Sequence, residues 1–303
     1  MTNEVAIMAK NKIIPSFALF SDSTTDITAK MAEELEITIL PLMFTIEGKD
    51  YRNYLDGRDM DNKTFYARIR EGAVSVTTQL NASQLVDTLE PTLKKGLDVY
   101  YMAFSSGLSG TYHSACMARD ELQEKYPDRK IYVTDTRCAS MGEGLLVYHA
   151  AQKRLAGQSV DEVFHWVEDN KLGLCHWFTV DDLNHLKRGG RISAAAAMVG
   201  TMLGIKPVLH VDDEGHLVPV EKVRGRRKSL DALVSHMENT AMLPADQTIF
   251  ISHGDCKEDA EYVAQRVREK MKVKTIFINY IGPVIGSHSG PGTVALFFLG
   301  TKR

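Results

Sequence analysis

The chain has 303 residues, 44% hydrophobic and 25% charged, with 36 Lys and Arg against 39 Asp and Glu. That composition supports a globular core, in one large domain or two ordinary ones, and a net charge of −3 gives no bulk attraction to nucleic acid. No apolar stretch approaches a membrane span and Met1 to Lys12 lacks a signal-peptide pattern, so a cytoplasmic placement is expected.

Along the chain, apolar runs alternate with helical periodicity. Phe17–Phe20 reads as a first strand, with Asp26 capping a helix through Leu35. Ile37–Ile46 is a β-branched run interrupted by Pro41, which fits an extended or edge strand. Asp61 caps a helix to Glu71. Ala82, Leu85, Val86, Leu89 and Leu93 share one face of a helix over Asn81–Lys95 that Gly96 ends. Val99–Phe104 is a strand, Tyr112–Tyr126 a helix, Ile131–Val133 a strand and Gly144–Ala156 a helix. Strand and helix in alternation predict a parallel sheet covered on both faces.

The second half changes character after Gly157. Ser159–Leu172 is a helix, Leu174–Val180 a strand, and a short helix holds Leu183 and Leu186 before Gly189-Gly190. Ser193–Leu203 is alanine-rich. Lys206–Val211 and His216–Val223, joined by Asp212-Asp213-Glu214-Gly215, form a hairpin pattern. A helix over Ser229–Met242, a strand over Thr248–Ser252, a helix over Lys257–Met271 and a strand over Val273–Ile281 follow. The glycine- and proline-rich segment Gly282–Gly292 reads as a loop before a last apolar strand. The domain boundary falls near Gly157–Leu174.

The most informative segment is Ser105-Ser106-Gly107-Leu108-Ser109-Gly110-Thr111, between a strand and a helix. Glycines let backbone N–H groups approach a ligand, and the first N–H groups of a helix lack partners and attract anions. Helix capping by Ser109 or Thr111 explains the same residues. Open α/β sheets bind ligands beyond the carboxyl ends of their strands, where both this run and Ser21–Asp26 lie. Gly107-Leu108-Ser109-Gly110-Thr111 departs from the hydrolase elbow G-x-S-x-G at Thr111. A Ser109–His288 hydrolase is a third reading. Neither a Walker A loop nor a strand followed by G-x-G-x-x-G occurs.

The alanine-rich Ser193–Gly204 is either a tightly packed core helix or a wall of small side chains that leaves room for an apolar guest. His288 is either a surface histidine or a ligand contact. Arg188, Arg191, Arg224, Arg226 and Arg227 are either solvated charge or a docking face for an acidic partner or phosphate. Their neighbouring glycines point to tight turns rather than helix faces. Cys116, Cys138, Cys175 and Cys256 form no C-x-x-C pair and read as small buried hydrophobes. Neither cysteine nor histidine spacing suggests a metal site, and no cofactor is expected.

Together, Asp22-Ser23-Thr24-Thr25-Asp26, Ser105–Thr111, Leu186-Lys187-Arg188-Gly189-Gly190-Arg191-Ile192, Lys206-Pro207 and Ile281–Gly292 are similar to the motif set of the DegV family of bacterial fatty-acid-binding proteins, which includes the lipid-binding subunits of fatty acid kinase. The motifs run in family order from about Phe17 to Phe298. The resemblance implies two α/β domains. The first, 1–165, has a parallel sheet and carries the carboxylate-binding loops. The second, 166–303, has a mixed sheet and lines the acyl tunnel, with the His288 loop at the interface.

The resemblance also implies a non-catalytic role in phospholipid metabolism. A long-chain fatty acid is held with its tail buried, and its carboxylate is presented to an ATP-dependent kinase for acyl-phosphate formation. A lipid-dependent regulator without a kinase partner is the alternative. The implied carboxylate contacts are Thr77 or Thr78, Ser105, Ser106, Gly107 and His288. The loop Val76-Thr77-Thr78-Gln79-Leu80 carries Leu80 where the family usually has proline, so both threonines stand as candidates. Ala195, Met198, Val199 and Met202 are expected along the tunnel, and Arg191 and Arg224 at the kinase-docking face. The expected partners are thus the fatty acid, the kinase and, transiently, a membrane surface.

Overall fold

The computed structural model describes residues 15–193 and 204–303; the tunnel candidates Ala195, Met198, Val199 and Met202 lie outside them. The fold is α/β, with a parallel sheet from the first half and a mixed sheet from the second. The parallel sheet has the order β2-β1-β6-β7, with β1 Phe17–Asp22, β2 Ile37–Leu40, β6 Asp98–Ala103 and β7 Ile131–Asp135. Val99–Ala103 is wholly buried, as a central parallel strand covered on both faces must be.

Helices α1 (Ala29–Glu34), α3 (Ala82–Lys94), α4 (Thr111–Lys125), α5 (Met141–Leu155) and α6 (Val160–Asn170) accompany this sheet. Asn81 with Gln84, and Ser159 with Glu162, close reciprocal capping boxes at the starts of α3 and α6.

The segment read as one strand over Ile37–Ile46 is two. Pro41 cannot continue the ladder, and beyond it β3 (Met43–Ile46) leaves the parallel sheet. It pairs antiparallel with β4 (Lys49–Arg52) and β5 (Ser75–Thr78), forming a small sheet in the order β4-β3-β5. Helix α2 (Asn62–Arg70) starts at the expected cap, Asp61.

The second sheet has the order β10-β9-β8-β13-β11-β12: β8 Leu174–Thr179, β9 Ile205–Val211, β10 Leu217–Arg224, β11 Thr248–His253, β12 Thr275–Tyr280 and β13 Val294–Leu299. All its pairings are antiparallel except β11 with β12. Helices α8 (Arg226–Thr240) and α9 (Lys257–Met271) pack on one face and α5 on the other. α7 is the short helix Asn184–Arg188 and α10 is Pro283–Ser289. No described helix is long and apolar enough to cross a membrane.

Three local expectations are corrected. Thr28, not Asp26, caps α1; Asp26 follows a 3-10 turn over Ser23–Thr25 and its carboxyl is engaged elsewhere. The loop read over Gly282–Gly292 contains α10, which Pro283 can begin because the first turn needs no N–H from it. The arginine clusters are not confined to turns: Arg188 ends α7, and Arg226 and Arg227 open α8.

Cys138 and Cys175 are buried, Cys116 and Cys256 half-buried, and all four are free thiols.

Arg154 of α5 is buried. Its Nη2 donates to the carbonyls of Leu35 at 2.8 Å and Glu36 at 2.9 Å, and Nη1 to that of Phe17 at 3.3 Å. It thereby ties the end of α1 and the start of β1 to α5. Arg154→Ala should cost about 1–3 kcal/mol by leaving buried carbonyls unpaired, and lysine should restore little because one ammonium lacks the planar fork. Urea unfolding of the three proteins checks this; equal stability of the alanine variant would contradict it.

Candidate functional site

A cavity of about 340 Å³ lies where the small sheet, the parallel sheet, α10 and the second sheet meet. Its size suits a small-molecule ligand. Its walls are mostly apolar, with Leu42, Phe104, Phe178, Val211, Leu217 and Phe297 among them. Exposed Thr78 and Gln79 mark one end.

Strand alternation distinguishes the two threonines. On β5, Thr78 is exposed, while Thr77 turns its hydroxyl toward α10 and lies 2.8 Å from His288 Nε2. Both residues line the cavity. His288 Nδ1 has no partner and packs against Gly189, where a Cβ would stand only 2.1 Å away. A bare lone pair is tolerated there better than an unpaired N–H. The proton therefore belongs on Nε2, which donates to Thr77 and leaves the threonine O–H available to a ligand. Burial, assisted by the nearby Arg191 guanidinium, pushes the imidazole down to about 4. At neutral pH it is uncharged.

The positive charge at this end is Arg191. It is half-buried, lines the cavity, and donates Nε to the Leu108 carbonyl at 3.0 Å and Nη1 to that of Gly189. It makes no ion pair among the described residues. Burial lowers its pKa, as it must for a cation drawn from water without an anion.

The Ser105–Thr111 turn is arranged differently from a bare anion cradle. Ser105 Oγ donates to the Gly215 carbonyl at 2.9 Å and accepts from Gly107 N. Ser106 donates both N and Oγ to Asp135, at 3.0 and 2.5 Å. A Cβ on Gly107 would fall 3.0 Å from the Gly215 carbonyl. Ser105 and Gly107 lock the turn to the β9–β10 hairpin and Ser106 locks it to the end of β7; none of the three lines the cavity, whereas Leu108 and Ser109 do.

Gly110, not Ser109 or Thr111, is the N-cap of α4. Ser109 Oγ accepts from Thr111 N at 3.3 Å, and Gln79 Oε1 accepts from Gly110 N at 3.1 Å. Ser109 Oγ pairs with Thr111 Oγ1 rather than with His288, so the nucleophile–base contact of a hydrolase is not assembled. Arg224 lies at the exposed end of β10 and is not among the residues lining the cavity.

Sequence reasoning assigned no role to several lining residues. Gln79, Thr24 and Ser289 stood inside quoted motifs. Ser140, His176 and Thr293 carried no local signal. Thr24 joins a fully buried acidic group: its hydroxyl meets both Asp22 Oδ1 and Glu143 Oε2, the latter at 2.7 Å. One hydroxyl proton cannot serve both carboxylates. Asp22 has further donors in Thr24 N and Tyr101, whereas Ser21, near Glu143, also reaches the Met102 carbonyl at 2.8 Å. Burial holds Glu143 well above the usual carboxylate range. Glu143 therefore keeps its proton and donates to Thr24, which donates to Asp22. Among the described residues no group of three or more His, Cys, Asp or Glu is placed to hold a metal ion.

The wider comparison agrees with the architecture. A DegV domain-containing protein of Clostridium perfringens is 50% identical over 287 residues, 95% of this chain and 98% of its own. Among solved structures, a DegV family protein from Thermus thermophilus described as binding fatty acid superposes with a TM-score of 0.84 at 28% identity, covering 94% of this chain and 99% of that one. DegV from Bacillus subtilis, described as a fatty acid binding protein, gives 0.80 at 28% identity, covering 95% and 100%. The DegV family model, whose description is of an uncharacterised protein, matches residues 16–301. With that match over nearly all its length, the chain belongs to the DegV family.

Proposed function

We propose that this chain binds a long-chain fatty acid, with the tail in the cavity and the carboxylate at Thr77, His288 and Arg191. The carrying observation is the polarity of the cavity: apolar walls lead to one half-buried arginine that has no acidic partner among the described residues, beside a threonine hydroxyl that is free to donate. A carboxylate removed from water needs such donors. A sixteen-carbon tail would contribute about 10 kcal/mol before ordering costs, at about 0.8 kcal/mol per methylene. The fatty acids bound by the Thermus and Bacillus relatives support this reading. Ser105, Ser106 and Gly107 serve it by fixing the turn that Arg191 grips.

In the same reading the chain is the non-catalytic, cytoplasmic subunit of a fatty acid kinase system. Its two halves, divided near residue 165, enclose the ligand, and an ATP-dependent partner phosphorylates the carboxylate. Arg224, outside the cavity, is the docking candidate, while Arg191 acts on the ligand itself.

Protein purified from lipid-replete cells should release close to one acyl chain per molecule on denaturing extraction, read by mass spectrometry. Thr77→Val and Arg191→Ala should each weaken palmitate binding by about 1.5–3 kcal/mol, whereas Ser105→Ala should change it less. Absence of any acyl chain, together with no binding of added palmitate, would sink the reading.

Arg224→Ala should keep its lipid yet slow acyl-phosphate formation by the kinase of the same organism, most strongly at low kinase concentration and low salt. If phosphorylation proceeds at the unaltered rate, Arg224 has no docking role.

A further inference from the structure

Asp26 lies just beyond the turn that ends β1, at a φ of 51°, and is 3% exposed. Its Oδ1 accepts the backbone N–H of Gly282, the N-cap of α10, at 2.9 Å. Its Oδ2 accepts from Ser140 Oγ at 2.5 Å, and that oxygen lies 3.0 Å from Ser252 Oγ of β11. The Asp26 carbonyl accepts Asn279 Nδ2 of β12 at 2.8 Å. A residue from the first half of the chain therefore fastens the start of a helix that belongs to the second. A negative or hydrogen-bonding carboxyl suits that place, since the first N–H groups of a helix are unpaired. Within its first turn α10 lines the cavity with Val284 and Ile285, and near its end His288 meets Thr77.

We propose that Asp26 is a positioning residue: through Gly282 and Ser140 it holds α10, and with it the Thr77–His288 pair, against the cavity, and its protonation sets how readily the two halves part. The ligand-release part of this rests on the fatty-acid reading above; the mechanical part does not.

The titratable groups that face Asp26 are Asp22 at the end of β1, Glu143 of α5 and Tyr66 of α2. None is a cation. Burial holds the Asp26 carboxyl up at about 7. Parting the halves would admit water and return it toward the ordinary aspartate value of about 3.9. Between these values the closed form binds the extra proton. Closure is then favoured at acid pH, and opening grows as pH rises toward 7 and levels off above it. His288 acts with the opposite sign. It is held at about 4 when closed, so opening would let it protonate, and opening is favoured as pH falls below about 6.5. A variant of Asp26 alone separates the two.

Asp26→Asn keeps an acceptor for Gly282 N and offers Ser140 a donor, as the protonated acid does, but cannot ionise. The first measurement is the melting temperature of ligand-free wild type and Asp26→Asn from pH 5 to 8. The wild type should lose ground to the variant as pH rises; parallel curves would overturn the proposal. The second is transfer of radiolabelled palmitate from loaded protein to phosphatidylcholine vesicles at pH 5.5 and 8. Relative to Asp26→Asn, the wild-type transfer rate should rise by about tenfold or more between the two, and Asp26→Ala should transfer faster than Asp26→Asn at both. An unchanged wild-type to Asn ratio overturns the proposal. Should palmitate fail to load at all, the fatty-acid reading fails, while the melting curves still decide the role of Asp26.

Discussion

The structure turns on the close approach at the first turn of α5. A Cβ on Gly142 would lie 2.1 Å from His176 Nε2 and 2.8 Å from Phe297, and one on Gly144 only 2.5 Å from the Thr25 carbonyl. The helix start is thus pressed against the second sheet on one side and the turn after β1 on the other. No larger residue fits at either position. Glu143, between the two glycines, is consequently driven into the interior, where Ser21 and Thr24 receive it. Ser140, which precedes the helix at a positive φ of 53°, is held in that costly conformation by its bonds to Asp26 and Ser252. The seam between the halves, the wall of the cavity and the buried acids are consequences of one close contact.

That contact also divides the cavity electrically. At the Thr77 end stand a guanidinium without an acidic partner among the described residues and an imidazole kept neutral by burial. Behind Thr24 and Ser140 stand three carboxyl groups with no cation among the groups that perturb them. Asp22 is the one best supplied with donors and so the one best able to stay ionised. A ligand carboxylate entering such a space meets attraction at one end and buried acids behind the wall at the other. In the fatty-acid reading proposed above, orientation follows from the placement of these groups without any need for a tight steric fit along the tail.

Much of the fold was legible because its signals are local. Val99–Phe104 reads as a strand since every residue of a doubly covered parallel strand is apolar, and Asp61 and Ser159 announce helices through side chains that satisfy the nearest free N–H groups. The hairpin of β9 and β10 was visible in its polar turn. What was hidden depends on distant partners. β3 to β5 are four residues each, too short for a secure period. α10 lies within glycines and prolines that elsewhere mark loops. Asp26 looks like a local cap, yet its carboxyl is claimed by Ser140 and Gly282, 114 and 256 residues away. In the site, Thr77 and His288 are 211 residues apart, and only the family resemblance paired them. Arg191 read as solvated charge or part of a docking face because nothing in its neighbourhood records that it folds against the Ser105–Thr111 turn and is half-buried there.

The same arrangement bears on what the site can do to a bound carboxyl group. A hydrolase or transferase centre needs a nucleophile in contact with a base. Here the histidine points its unprotonated nitrogen at a glycine and uses the other on a threonine, and Ser109 bonds to Thr111. Arg191 can neutralise a carboxylate but cannot take up a proton from it. The residues at this end can bind, orient and desolvate an anion. Among the described residues, neither Ser109 nor His288 is in contact with the other. In the fatty-acid reading proposed above, the exposed rim at Thr78 and Gln79 is the side from which a second protein would reach the bound carboxylate.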